Sequence, residues 1–217
     1  MTEARDDLPA DPAAMLNLMR DQRRRTQRWE LRLYVVMLVA WAVSWGIGFG
    51  ALWSAESTGG NPWLRIPDAV AWAVFGGLLV AAIIISIVAG VRSGTAVRGP
   101  SRLAGALYGW SWTISMVAAW GVLTAVRRAG LSDSAMSVLA PALFILIVGV
   151  LYLAGGALWR STVQYALGVV MIVTVVGASF AGAPTHHLIY ATVGPAAMLT
   201  VAVMMARGVF TTQEEPR

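Results

Sequence analysis

The stretch LYVVMLVAWAVSWGIGFGALW, residues 33–53, runs without a single Asp, Glu, Arg, Lys or His. At about 1.5 Å of rise per residue, a helix of that length reaches roughly 30 Å, the thickness of a bilayer's hydrocarbon core. The run lacks the apolar-polar alternation of a barrel strand, and in hydrocarbon a helix satisfies its own backbone N–H and C=O groups. It reads as a first transmembrane helix. Residues 69–91, 103–126, 135–158, 163–182 and 187–206 repeat the pattern, each free of acidic residues and Arg. The chain is therefore expected to be all-α, a polytopic transmembrane bundle of six helices.

The boundaries carry helix-start chemistry: Pro67 and Asp68 before the second block, Pro100 and Ser101 before the third, Ser132 and Asp133 before the fourth. Gly182-Ala183-Pro184 leaves so short a turn that the fifth and sixth helices should form an antiparallel hairpin. Residues 1–32 form a basic amphipathic segment, 33–206 the membrane domain and 207–217 a short tail. Composition agrees, since 58% of the 217 residues are hydrophobic and 12% charged, against about 25% charged in soluble domains. Mean hydropathy is +0.67. Glu3, Asp6, Asp7 and Asp11 precede any apolar run, unlike the basic start of a signal peptide, so the first helix is expected to be retained.

All 16 basic residues are Arg, and there is no Cys. Disulfides, thiolate nucleophiles, cysteine-ligated metals and Schiff-base lysine chemistry are thereby excluded. With the N-terminus inside, every Arg except Arg65, Arg127 and Arg128 falls on the inner side, as the positive-inside rule requires. Trp29 and Trp159 then mark the inner interface, and Trp53, Trp63 and Trp120 the outer one. Both termini are expected in the cytoplasm, and the chain in the cell's inner membrane as a multi-pass protein.

Asp11 and Pro12 suit a helix start, after which Met15, Leu18 and Met19 line one face ahead of Arg20, Arg23, Arg24, Arg25 and Arg28. A short helix lying on the inner leaflet is expected, contacting anionic lipid or a cytosolic partner, although a topology signal alone accounts for the same arginines. No folded recognition motif surrounds the basic run, so nucleic acid is not an expected partner.

The spans lack the carboxylates of a proton relay, leaving Ser, Thr and Gln as intramembrane polar groups. The third block is the richest, with Tyr108, Ser111 and Trp112. Gly194-Pro195 should kink the sixth helix and free a carbonyl near Ala191. These five residues, Tyr108, Ser111, Trp112, Gly194 and Pro195, form the expected substrate path, against the plainer reading of packing surfaces. Gly46 and Gly50, and Gly105 and Gly109, have the spacing of close helix approach, which also suits a homo-oligomer. Residues 48–53 echo residues 155–159, and Leu103 with Gly109 echoes Leu188 with Gly194, a pattern compatible with a three-plus-three inverted repeat.

Gly177-Ala178-Ser179-Phe180 followed by His186 and His187 resembles, over about ten residues, the Gly-x-Ser motif and helical histidine of rhomboid intramembrane proteases. The chain departs from that family in lacking its other His and Asn positions. The plainer reading makes His186 and His187 turn residues facing outside water. Asp11 to Leu16 with Gln22, Leu107-Tyr108-Gly109-Trp110, and residues 151–159 resemble small uncharacterised six-helix membrane proteins of high-GC bacteria, some of them labelled transporters. That resemblance implies a fold and an inner-membrane location. The leading expectation is transport or permeation of a small uncharged or amphiphilic solute. The alternative is a non-catalytic membrane subunit docking a partner through residues 12–32. A rhomboid-like protease is a remote third. No enzyme activity, cofactor or metal is expected.

Overall fold

A computed structural model describes residues 12–56, 60–94 and 100–209. Its helices are α1 (Pro12–Ala55), α2 (Asp68–Gly94), α3 (Pro100–Arg128), α4 (Asp133–Leu158), α5 (Thr162–Ala181) and α6 (Thr185–Ala206). All six are long and apolar enough to cross a bilayer, and their spanning segments start and stop within two residues of the blocks read from the sequence.

The helix ends follow from local chemistry. The Ser132 hydroxyl accepts from Ala135 N and that of Ser161 from Gln164 N, capping α4 and α5. After α4, Arg160 takes the left-handed conformation (φ 53°) and Ser161 N donates back to Gly156 O at 2.8 Å, a closure glycine usually provides. The α5–α6 turn rests on Gly182, whose φ of 68° admits a side chain poorly.

The extensive helix pairs, taken in spatial order, run α2, α1, α6, α5, α4, α3. Leu38, Ala42, Trp45, Phe49 and Leu52 recur at alternating steps of four and three and form the buried stripe of α1. They meet Tyr190, Met198, Ala202 and Met205 of α6 and Met171, Val175 and Ala178 of α5. Lipid tails are as apolar as these side chains, so the pairing rests on close packing rather than on escape from water. Glycines supply it: Gly194 makes room for Trp45, Gly48 for Phe75, and Gly149, Gly156 and Gly168 bring the backbones of α4 and α5 together.

Several expectations change here. The basic segment is not a separate helix on the leaflet, because α1 continues through it without a break for 44 residues. Of the small-residue pairs, only Gly46 packs within the chain; Gly50, Gly105 and Gly109 have open space where a side chain would begin. An inverted repeat would match α1–α2 with α4–α5 and α1–α6 with α4–α3, and all four interfaces occur. It would also match α5–α6 with α2–α3, where the described residues form no comparable interface. Pro195 does not end α6. The carbonyl it frees, that of Ala191, lies over Gly46 of α1, 3.7 Å from where a Cβ would sit.

Candidate functional site

The five expected path residues fall into two places. Tyr108, Ser111 and Trp112 lie on α3, which packs on α4, whereas Gly194 and Pro195 are buried in α6 against Trp45 and Gly46 of α1. With α5 and α4 standing between α6 and α3 in the packing order, the five do not line one path. The Tyr108 hydroxyl donates to Leu151 O at 2.7 Å, and the Gln164 side-chain amide reaches it at 3.4 Å. Both fill the space that Gly155 leaves. The Tyr108 ring stands edge-on to Trp159 and Trp112, and Trp112 to Tyr152. Ser111 returns its hydroxyl to Leu107 O on its own helix, as Thr124, Thr174, Thr192 and Thr200 do to residues one turn earlier. This is an aromatic packing joint between α3, α4 and α5. Tyr108→Phe should therefore lower stability by about 0.5–1 kcal/mol, the worth of one cross-helix hydrogen bond, measured by unfolding in mixed micelles, with assembly otherwise intact.

A second polar cluster lies where the end of α1 and the starts of α4 and α6 meet. His186 and His187 are not water-facing turn residues: they are 0% and 7% exposed in the first turn of α6. The helix begins at Thr185, earlier than the apolar run suggests, and this turn carries the pair inward onto Phe49 and Tyr190. His186 Nδ1 lies 3.2 Å from Gly182 O and its Nε2 3.1 Å from Ser137 O. His187 lies against it, the rings tilted by 35° with centres 3.9 Å apart, and sets Nε2 3.7 Å from Glu56 Oε1. Among the described residues, His187 Nδ1 and the Tyr190 hydroxyl are buried with no hydrogen-bond partner.

Sequence reasoning missed Glu56, Ser137 and Tyr190 as members of this cluster. The register of α6 contained the signal, because His186, Tyr190, Gly194, Met198 and Ala202 recur every fourth residue along its buried face. Ser179, the residue resembling a nucleophile, donates to Val175 O at 2.7 Å, while the contacts of both imidazoles lead elsewhere. That arrangement is not a serine–histidine pair. Among the described residues no three His, Asp or Glu side chains gather as a metal site.

The basic segment continues α1, with Met15, Leu16, Leu18, Met19 and Arg20 all exposed. The side chains of Arg23, Arg24, Arg25 and Arg28 lie outside the described residues, though their backbone is helical. No known protein family matches the chain, and no curated protein or solved structure is significantly similar to it.

Proposed function

We propose that the protein is a non-catalytic membrane subunit that holds a cytosolic partner on the basic extension of α1. The observation behind this reading is the unbroken length of that helix, 44 residues with no proline after the first and no glycine before Gly46. Such a helix measures about 66 Å, roughly twice a hydrocarbon core. Continuing the span rather than folding onto the leaflet, residues 12–28 stand about 25 Å beyond the hydrocarbon, where lipid does not cover their apolar side chains. Met15, Leu18 and Met19 follow the i, i+3, i+4 spacing of a helix laid in a groove. The fitting partner has an apolar groove rimmed with acidic side chains, which the arginines would attract and orient. The cytoplasmic placement rests on the arginine distribution, with only Arg65, Arg127 and Arg128 on the opposite side.

Purification of the tagged protein in mild detergent from its own host, with quantitative mass spectrometry, should recover a stoichiometric soluble partner. Replacing Arg23, Arg24 and Arg25 with Gln should reduce that recovery at least tenfold, while a C-terminal topology reporter stays cytoplasmic. Full recovery with the triple variant, or a protein that purifies alone and passes solutes in liposomes, would overturn the reading.

A further inference from the structure

We propose that the His186–His187 pair is a binding site for a single proton, and that the bound proton ties the start of α6 to the start of α4. The argument begins with His186. Both of its ring nitrogens face backbone carbonyls, Gly182 O at 3.2 Å and Ser137 O at 3.1 Å, and carbonyls only accept. A neutral imidazole has one N–H, so it serves one carbonyl and turns a lone pair towards the other. An imidazolium donates to both. The buried geometry around His186 is thus complementary to the protonated ring.

His187 limits the capacity to one. Its ring lies 3.9 Å from that of His186, centre to centre, so charging both would set two cations side by side. The proton therefore belongs to the pair. Burial and the positive end of the α6 dipole oppose it. Glu56, one residue past α1 and 3.7 Å from His187 Nε2, supplies the opposing negative charge. Of the other groups facing the pair, α4 contributes the Ser137 carbonyl, the α5–α6 turn the Gly182 carbonyl, and α6 the neutral Tyr190. Arg127 and Asp133 of the adjoining α3–α4 turn pair with each other at the surface.

The site is mechanically placed. Among the described residues α4 and α6 share no extensive interface, so the bond from His186 to Ser137 is a cross-link between helices otherwise joined through α5. Proton uptake secures that bond while keeping the one to Gly182, and proton loss forces a choice between them. The proposal does not depend on what α1 docks.

The chain has two histidines, so selective ¹⁵N-histidine labelling in lipid nanodiscs yields only two ring spin systems. Between pH 8 and pH 4, one ring should acquire a second N–H while the other stays neutral. Glu56→Gln should lower the midpoint, as loss of a nearby opposite charge does. Two rings titrating together near the ordinary histidine value of about 6.5, or neither ring charging down to pH 4, would overturn the proposal on the wild-type protein alone. A midpoint unmoved in a folded Glu56→Gln variant would overturn the role of Glu56.

Discussion

Gly168→Leu should leave the protein unable to hold α4 against α5, and the purified variant should aggregate or run as a broadened species in mild detergent. A Cβ at this position would lie 2.8 Å from Gly149 O and 2.8 Å from Leu153 N. Both are backbone atoms inside α4, so no side-chain rotation relieves the clash, and the helices must separate. Overpacking that side chains can partly absorb costs about 1–3 kcal/mol, and a backbone collision should exceed that range. Leucine is more apolar than glycine, so membrane insertion improves and cannot account for the loss. Gly109→Leu is the control, because none of the described residues lies within 4 Å of its Cβ position. That variant should elute and melt like the parent. Equal behaviour of the two in size-exclusion chromatography and thermal unfolding would sink the assigned α4–α5 approach.

Phe49→Ala should be the most damaging side-chain truncation in α1, at about 2–3 kcal/mol. The ring lies among Trp45, Phe75, His187 and Tyr190 and joins three helices at one point. When membrane helices separate, a phenylalanine passes into lipid rather than water, so the usual transfer term nearly vanishes. What remains is the cavity and the lost aromatic contacts, hence a figure below the roughly 3–5 kcal/mol found in soluble proteins. Val36→Ala, on the exposed face of the same helix, should change stability by less than about 0.5 kcal/mol. Unfolding in graded denaturing detergent distinguishes the two, and comparable losses at both sites would mean that Phe49 does not organise the core.

The six helices were legible because a span is set by one-dimensional quantities: a run of about twenty uncharged residues and the capping chemistry of Ser132, Asp68 or Pro100. The partnership of those helices was not. Gly105 and Gly109 have the same spacing as Gly46 and Gly50, yet only Gly46 meets a neighbouring helix, because close approach depends on what the opposite helix presents. The joint between α4 and α5 sets Gly149 against Gly168 and Gly156 against the backbone of Tyr165, pairings that no local motif announces. The five expected path residues fall at separate interfaces for the same reason. Tyr108 and Pro195 each attract notice in their own helices, and only the packing order puts them at different interfaces. His186 and His187 looked like turn residues because polarity was read without rotation: a start to α6 two residues earlier, at Thr185, places them on its buried face.

The continuity of α1 makes it a lever. Its far end lies one residue short of Glu56, and its near end is Pro12. With a pivot at the middle of the span, the arm to Pro12 is about 45 Å, so a tilt of ten degrees displaces that tip by roughly 8 Å. The same tilt moves Phe49, about 9 Å from that pivot, by only about 1.5 Å. Along a rod without a hinge, a small change of fit around Phe49 thus becomes a displacement about five times larger at Pro12.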